Sequence, residues 1–416
     1  MSINEIKTVC FVGAGTMGCV NSLVAAVSGY NAVLYDVAAD NLNQVPQRHQ
    51  EIAAFMVDSG YCTPDAVSEA LDRITLSSDL AEATAAADLV SESVFERLDL
   101  KRKVHQQLDE LCPPNTILTT NTSALLVSDI EDVVQRGDLF AALHSHLGSL
   151  VIDIVGGPRT KPETIDILKR YVLSLGGTPL VLKKEHPGYV LNAMIGPLVT
   201  MAMILVIAEQ AAMEEVDRAW MINRRAPMGP FGMMDLFGLN VVYDGWHQPK
   251  SDPNIELLKP LIVPFLTPFI EKGELGMKTG QGFYKYPDPT YQQSNFLAEK
   301  TDITAPYHAL ISALIQSAVL IALNNVAEPG DIDRAWMAAT SLDMGPFGIL
   351  DQMGIDDFLD LLKQQVEKGL LLPENAVQAG AYLQQYVDRG ELGIKTGQGF
   401  YTYPDPVFEK EGFLNS

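Results

Sequence analysis

The chain has 416 residues, enough for two or three domains, and its hydrophobic fraction of 47% is typical of a soluble globular protein. Its 29 basic residues are outnumbered by 52 acidic ones, and the formal net charge of −23 disfavours nucleic acid and anionic membranes as partners. Four cysteines without paired spacing predict neither a metal site nor a disulfide framework, and no export signal precedes the first apolar run, so we expect a cytoplasmic protein.

A glycine-rich motif lies near the beginning of the chain, between a predicted strand and a predicted helix. The motif is Gly13-Ala14-Gly15-Thr16-Met17-Gly18. The next apolar run, 32–35, ends in Asp36. This is G-x-G-x-x-G in the context typical of dinucleotide binding, although a glycine turn in another α/β domain is the alternative.

Each residue of this motif has a physical role in such a site. Gly13 permits the tight turn, Gly15 lets the backbone approach a pyrophosphate, and Gly18 allows the helix to pack closely on the strand. The helix N-terminus attracts phosphate, with Thr16 and Met17 in its first turn. Asp36 is placed to bind a ribose 2′-hydroxyl and to repel a 2′-phosphate, which favours NAD over NADP.

Short apolar runs alternate with helical patterns as far as residue 184, which predicts a mostly parallel sheet. The predicted strands are 8–13, 31–36, 73–76, 88–92, 116–120, 139–144, 150–155 and 178–183. The long polar stretch 39–72 is interpreted as two helices around 59–64, forming a protruding helical hairpin inserted after the second strand. The fold class is therefore α/β, a doubly wound Rossmann-type sheet with a helical insertion.

Long helical patterns without strands follow His186-Pro187-Gly188, and they contain an internal repeat. Three blocks recur in order at offsets of 116, 116 and 117 residues. They are Asp217–Trp220 with Asp333–Trp336, Met228–Gly232 with Met344–Gly348, and Lys278–Tyr284 with Lys395–Tyr401. The predicted domains are 1–185, 186–300 and 301–416, the last two being tandem all-α domains.

The repeated blocks have structural interpretations. Met-Gly-Pro-Phe is typical of a helix start, with glycine at the cap and proline at the first helical position. Lys-Thr-Gly-Gln-Gly-Phe-Tyr is typical of a glycine-rich turn that anchors an aromatic pair, and lining of a pocket is the alternative. The most apolar stretch, 194–208, is too short to span a bilayer and predicts a buried core helix.

The order of these motifs resembles the L-3-hydroxyacyl-CoA dehydrogenase family over essentially the whole chain. The segments that carry the resemblance are the glycine motif, Glu92–Lys101, Thr120–Ala124, Gly188–Asn192 and both copies of the last two repeated blocks. The resemblance implies a Rossmann domain that binds NAD, helical C-terminal domains, and oxidation of (S)-3-hydroxyacyl-CoA to 3-oxoacyl-CoA in fatty-acid metabolism.

The resemblance also assigns roles to residues. It implies that Glu96, Lys101 and Asn121 contact the cofactor, and that Ser123 and Asn192 line the place where nicotinamide and substrate oxygen meet. Ser123 also follows a predicted strand at the carboxyl edge of the sheet, where ligands bind. The alternatives are that Ser123 caps a helix beginning near residue 127 and that Asn192 is a polar residue inside a buried helix.

The family's catalytic pair, a histidine oriented by a glutamate, falls on His144 and Asp153. A neutral imidazole takes the hydroxyl proton, and a buried carboxylate fixes its tautomer. This chain departs from the family pattern, because 145–148 read Ser-His-Leu-Gly where the family has two apolar residues followed by Asn-Pro. Asp also replaces Glu, and Ala193 replaces an arginine. His146 as the base, and no base at all, are the alternatives.

The expected partner is a small-molecule substrate, with acyl-CoA the first choice. The stretch 50–72 contains no lysine where the family offers lysines to CoA, and the candidate cations for CoA are Arg73, Lys101, Arg102 and Lys103. The cluster 101–103 has two further interpretations, a solvated helix face or a role toward NAD. Alternative functions are a dehydrogenase of a free hydroxy acid or sugar acid, and an NAD-binding paralogue without turnover.

The duplication has a consequence for assembly. In single-repeat relatives the C-terminal domain pairs with its copy in a second subunit. Here the second repeat can make that contact within one chain, because homologous helical faces can form a pseudo-twofold interface. We expect a monomer or a homodimer.

Overall fold

The computed structural model of the chain describes residues 6–146, 148–247 and 256–415. It consists of two compact units. Unit 1 comprises residues 1–189 with 325–327 and 414–416, and unit 2 comprises 190–324 and 328–413. Except for 186–189, 325–327 and 414–416, both predicted helical domains belong to unit 2, and the folding of each as a domain of its own stays a prediction.

Unit 1 is built on one eight-stranded sheet. Its strands are β1 (Thr8–Val12), β2 (Asn31–Tyr35), β3 (Ile74–Ser77), β4 (Leu89–Glu92), β5 (Ile117–Thr120), β6 (Phe140–Ser145), β7 (Val151–Gly156) and β8 (Thr178–Leu182). Every predicted strand is confirmed to within one residue at each end. The central strands β4 and β5 are buried throughout, which is why they appear in the sequence as continuous apolar runs.

The strand order is β3-β2-β1-β4-β5-β6-β7-β8, and every neighbouring pair is parallel except β6 with β7. The order reverses between β1 and β4, so a crevice opens there at the carboxyl ends of the strands. The antiparallel pair sets His144 of β6 directly opposite Asp153 of β7. The Rossmann-type class is thus confirmed.

The helices of unit 1 cover the sheet. They are α1 (Thr16–Val27), α2 (Ala39–Asp58), α3 (Pro64–Leu71), α4 (Leu80–Thr84), α5 (Leu98–Leu111) and α6 (Pro162–Ser174). The two helices predicted for 39–72 are α2 and α3, and Thr63 caps the second by accepting a hydrogen bond from Ala66. The hairpin does not simply protrude, because Val45, Met56 and Ala70 are buried in the core of unit 1.

Unit 2 is helical. Among the described residues, each of its two halves contains five helices, which follow one another in the same order. The first half has α7 (Leu191–Ile207), α8 (Met213–Arg224), α9 (Pro230–Phe237), α10 (Leu239–His247) and α11 (Lys259–Lys272). The second half has α12 (Thr304–Leu323), α13 (Pro329–Thr340), α14 (Pro346–Met353), α15 (Ile355–Glu367) and α16 (Pro373–Asp388).

The halves meet along equivalent helices. α7 packs against α12, and the buried rings of Trp220 and Trp336, at matching positions of the repeat, lie edge to face with centroids 6.3 Å apart. The apolar stretch 194–208 forms most of α7, with Met194, Leu198 and Ala202 among its buried residues. α12 is the one described helix long and apolar enough to cross a membrane, but most of it is buried inside the structure.

The repeated blocks form one hydrogen-bonded network in each half. In the first half, the carboxylate of Asp217 accepts hydrogen bonds from the backbone of Phe231 and Gly232 at 2.8 and 3.1 Å and from the hydroxyl of Tyr284 at 3.0 Å. Pro230 is the first residue of α9 and Gly229 its N-cap, as predicted from the sequence. Asp217 therefore stabilises the free N–H groups at the beginning of α9.

A second aspartate anchors the glycine-rich turn. Asp235 accepts hydrogen bonds from the backbone of Phe283 and Tyr284, both at 2.9 Å. A Cβ at Gly282 would lie 2.1 Å from the Asp235 carboxylate, so only glycine fits this position. The second half repeats these bonds with Asp333 and Asp351. The structural interpretation of the blocks is confirmed.

The packing of α7 on α12 predicts the behaviour of a shortened chain. A chain ending at residue 300 lacks α12 and exposes the apolar face of α7. We expect this fragment to dimerise or aggregate in light scattering, whereas the full chain needs no partner to cover that face. A soluble, monomeric fragment would contradict the intrachain pairing.

Candidate active site

The glycine-rich loop joins β1 to α1 and has the geometry required for dinucleotide binding. Gly13 has a φ of +107°, and a Cβ there would lie 2.8 Å from the carbonyl oxygen of Ser93. A Cβ at Gly18 would lie 1.8 Å from the carbonyl oxygen of Gly13, so α1 can approach β1 only with glycine. Beside Gly15 there is open space, and Gly15 and Thr16 are exposed. The three glycines therefore fit NAD, with the free N–H groups of α1 facing the pyrophosphate position.

Asp36 follows β2 and is held against this loop. One carboxylate oxygen accepts hydrogen bonds from the backbone of Ala14 at 2.8 Å and the amide of Asn41 at 3.2 Å, and the other accepts one from Ala38 at 2.8 Å. A carboxylate has about four lone-pair sites, so capacity for a ribose hydroxyl is left. Asp36 thus ties the phosphate-binding loop to the ribose position.

Arg48 is a neighbour of this loop that the sequence analysis missed. It lies on α2, half-buried, and its guanidinium donates to the carbonyl of Ala14 at 2.6 Å and to the side chain of Gln44 at 2.6 Å. The hairpin therefore brings a positive charge to the glycine-rich loop. The spacing of four residues between Gln44 and Arg48 can be seen in the sequence. The contact of Arg48 with Ala14, 34 residues away, cannot.

A buried ionic network supports the carboxyl end of β4. The ammonium group of Lys101 on α5 lies 2.8 Å from Glu92, and the imidazole of His105, one helical turn on, lies 3.0 Å from the other oxygen of that carboxylate. Thr120 of β5 also donates to Glu92 at 2.7 Å. Burial opposes ionisation of Glu92, but Lys101 and His105 outweigh it and lower its pKa to about 2.

Lys101 also connects this network to the loop after β4. It is fully buried, and besides Glu92 it pairs with Glu96 at 3.3 Å. It joins α5 to two carboxylates at the edge of the site. Its side chain is 1% exposed, and the direct cofactor contact implied by the resemblance stays a prediction.

Glu96 organises the loop after β5. Its carboxylate accepts hydrogen bonds from the backbone of Ser123 and Ala124 at 2.9 and 3.0 Å and from the hydroxyl of Thr122. Asn121 accepts a hydrogen bond from the backbone of Ser145 at 2.8 Å and so links the ends of β5 and β6. Ser123 is half-buried at this edge. Thr122 and Asp129 make the local capping bonds, so the capping alternative for Ser123 is wrong.

The predicted base and its carboxylate are in contact. Nδ1 of His144 lies 2.9 Å from Oδ2 of Asp153, and both residues are buried. Ionised aspartate only accepts hydrogen bonds, so Nδ1 carries the proton and Nε2 keeps its lone pair. The shorter aspartate therefore reaches the histidine in spite of the missing methylene. Burial and the neighbouring His146 lower the pKa of His144, against the influence of Asp153 and Glu96, and this keeps the ring neutral.

His146 shares the same carboxylate oxygen. Its Nε2 lies 2.8 Å from Oδ2 of Asp153, and its ring lies edge to face with that of His144, with centroids 4.4 Å apart. Burial disfavours the Asp153 carboxylate, but the two histidines outweigh it and hold its pKa below the usual range. The altered loop thus keeps the pair and adds a second imidazole. Leu147, in this loop, lies outside the described residues.

Two further residues are Tyr189, at the end of the first segment of unit 1, and Asn192, near the beginning of unit 2. Tyr189 has a φ of +52°, is 1% exposed, and its ring centroid lies 5.2 Å from that of His144. Its buried hydroxyl has no hydrogen-bond partner among the described residues. Asn192 is exposed in the first turn of α7, so the alternative of a polar residue buried inside that helix is wrong.

The cations considered for CoA are mostly paired. Arg73 lies 3.4 Å from Glu69 in an exposed pair one helical turn apart, and Arg102 makes two hydrogen bonds to Asp132, of 2.5 and 2.8 Å. Lys101 is buried as described, and Lys103 is exposed on α5. Three of these four cations therefore have carboxylate partners.

The sheet order, the glycine loop and the His–Asp pair together define an NAD-binding dehydrogenase with a Rossmann domain. Comparisons with known proteins agree. The model of the 3-hydroxyacyl-CoA dehydrogenase NAD-binding domain matches residues 8–186, and that of the C-terminal domain of the same family matches 188–286 and 308–403. The chain belongs to the 3-hydroxyacyl-CoA dehydrogenase family, and it is an NAD-dependent oxidoreductase.

Individual relatives show the extent of this similarity. The mitochondrial hydroxyacyl-coenzyme A dehydrogenase of Rattus norvegicus is 32% identical over 292 residues, 68% of this chain and 91% of that protein. A solved diketoreductase is 35% identical, with a TM-score of 0.62, over 68% of this chain and 99% of that one. A 3-hydroxybutyryl-CoA dehydrogenase from Escherichia coli K12 has the same fold over 93% of this chain and 99% of its own, at a TM-score of 0.75 and 23% identity.

The position of Asp36 generates a prediction about cofactor choice. The protein is expected to prefer NADH over NADPH by about tenfold or more in kcat/KM, because the carboxylate binds the 2′-hydroxyl and repels the 2′-phosphate. Asp36→Asn removes the charge, while its amide oxygen still accepts from one of the two backbone N–H groups, so the preference for NADH should become smaller. Equal use of both cofactors by the unchanged protein would contradict a ribose contact.

The shared carboxylate generates a prediction about the base. His144→Ala should lower kcat by roughly two to four orders of magnitude, the range typical of a lost general base, with little change in NADH affinity measured by fluorescence. His146→Ala is the matched comparison and should cost much less. If His146→Ala has the larger effect, His146 is the base.

Proposed function

We propose that the protein oxidises the hydroxyl of an (S)-3-hydroxyacyl-CoA to the 3-oxo group with NAD, in fatty-acid metabolism, or runs the same reaction in reverse. The observation that carries the proposal is the buried contact of His144 with Asp153 at 2.9 Å. It leaves Nε2 of a neutral imidazole free as an acceptor. This is the group that removal of a hydroxyl proton requires.

The residues around the pair have defined roles in this proposal. When NAD is bound, its nicotinamide supplies the hydride acceptor. His144 takes the hydroxyl proton at Nε2, and the ionised Asp153 stabilises the resulting imidazolium. Glu96 and Asn121 fix the backbone on which Ser123 and Ser145 lie, which keeps Ser123 in place at the edge of the sheet. Ser123 and Asn192 are proposed to orient the substrate oxygen.

A second candidate substrate is a dicarbonyl compound or hydroxy acid without CoA. Two observations favour it. Three of the four cations considered above for CoA have carboxylate partners, and the 35%-identical solved structure is that of a diketoreductase with dual catalysis of dicarbonyl compounds. Both candidates share one chemistry, interconversion of a ketone and a secondary alcohol beside a second carbonyl group.

The cell compartment and assembly form part of the same proposal. The four cysteines are free thiols, three of them buried, which suits the reducing cytoplasm. The pairing of α7 with α12 covers an apolar face within one chain, and this supports a monomer. A homodimer through another surface is the alternative.

Consumption of NADH with three probes separates the substrates. The probes are acetoacetyl-CoA, the N-acetylcysteamine thioester of acetoacetate, which lacks the nucleotide, and the free dicarbonyl acetylacetone. We expect turnover of acetoacetyl-CoA with the lowest KM, and a rise in that KM with ionic strength as attraction to the anionic nucleotide is screened. The His144→Gln variant is the blank that assigns the activity to this site.

Other outcomes select the alternatives. Equal KM values for the two thioesters would show that the nucleotide is not bound. Activity with acetylacetone alone would establish the second candidate. No NADH consumption with any probe, although NADH binds, would identify an NAD-binding relative without turnover.

A further inference from the structure

The loop after β6 adds an imidazole to the catalytic pair, and the result is a cluster of three metal-ligating groups. Each of His144, His146 and Asp153 offers one ligand atom, and these atoms all lie within 4.8 Å of one another. His144 lies in β6 and His146 directly follows that strand, and both imidazoles contact Asp153 of β7, at 2.9 and 2.8 Å. We propose that this cluster is an inhibitory binding site for Zn²⁺ or a similar transition-metal ion.

The donor set fits such an ion. Two imidazoles and one carboxylate are ligands typical of zinc, whereas Mg²⁺ and Ca²⁺ prefer oxygen. Zinc bonds of about 2.0–2.2 Å in a tetrahedron place ligand atoms about 3.3 Å apart. The observed nitrogen–oxygen distances of 2.8 and 2.9 Å therefore need to open by only about half an ångström.

A second observation also points to a cation. Oδ1 of Asp153 is buried and has no hydrogen-bond partner among the described residues, although a buried carboxylate oxygen normally has one. A cation held by both histidines and by both oxygens of this carboxylate would satisfy Oδ1. A cavity of about 30 Å³ borders His146 and Ser145, which is room for one water molecule beside the cluster.

Binding of the ion would switch off the base by changing a tautomer. In the metal-free pair, Nδ1 of His144 carries the proton and Nε2 accepts one from substrate. A metal can bind Nδ1 only through the lone pair that is exposed when Nδ1 loses its proton. The proton therefore moves through solvent from Nδ1 to Nε2 of the same neutral ring. Nε2 is then a donor and cannot remove the hydroxyl proton. The charge of the ring does not change in this step.

The site requires His146, because a pair of ligands alone holds zinc poorly. At its place the family pattern given above has an apolar residue, so the inhibition is expected of this chain and not of relatives with that pattern. The net charge of −23 further raises the local concentration of cations.

The test uses Co²⁺ as a spectroscopic probe and Zn²⁺ as the inhibitor, on the full chain. We expect one Co²⁺ per chain with the visible absorption bands of low-coordinate cobalt, displaced by Zn²⁺. Zn²⁺ should inhibit NADH consumption, with reversal by EDTA. His146→Gln keeps an N–H donor toward Asp153 but loses the ligand, and should weaken Zn²⁺ binding at least tenfold.

Controls keep the outcomes distinct. His308→Gln, on the helix α12, removes a histidine outside the cluster and should leave zinc binding unchanged. His146→Leu is the second variant if the glutamine variant fails to fold, as judged by circular dichroism. The inhibition assay rests on the proposed function. The cobalt spectrum does not, so it tests metal binding by the cluster even in a protein without turnover. Unchanged cobalt bands in the His146 variants, or none in the parent protein, would overturn the proposal.

Discussion

The ion pair of Lys101 with Glu92 is the interaction on which the edge of the site depends. A charge buried this deeply is stable only when it is paired and hydrogen-bonded, because the cost of removing it from water is several kcal/mol. Lys101 therefore fixes α5 against the end of β4, and Glu92 in turn holds Thr120 at the end of β5. Through Glu96 the same ammonium group reaches the loop that carries Ser123. The helix α5, the ends of β4 and β5, and the loop with Ser123 thus depend on one buried cation.

The sequence predicted the sheet well because a parallel sheet covered on both faces consists of continuous apolar strands. Strands such as β4 and β5 could be located in this way, although β3 at the edge has two exposed residues, and the glycine spacing identified the dinucleotide loop. His144 and Asp153 could be paired only through the family resemblance. Their contact arises from the antiparallel register of β6 and β7, a tertiary feature that no local pattern contains.

The features that sequence reasoning missed have a common physical cause. The contacts of Arg48 with Ala14, of Glu92 with His105, and of Tyr189 with His144 all join residues that are distant in the chain. Tyr189 also has a left-handed backbone conformation, which costs on the order of 1 kcal/mol or more for a residue other than glycine. His146 could be seen in the sequence, but its sharing of Asp153 depends on where the loop turns.

The fusion of two helical repeats changes what mutation can do to their interface. Between two identical subunits every substitution occurs twice, once on each side of the symmetry axis. Within one chain each side changes independently, so α7 can be altered while α12 keeps the matching surface. The helices already differ in length, with 17 residues in α7 and 20 in α12. The tether also holds the two faces at a high effective concentration, so the contact persists however dilute the protein is. A substitution in one repeat therefore leaves the facing surface of the other repeat unchanged.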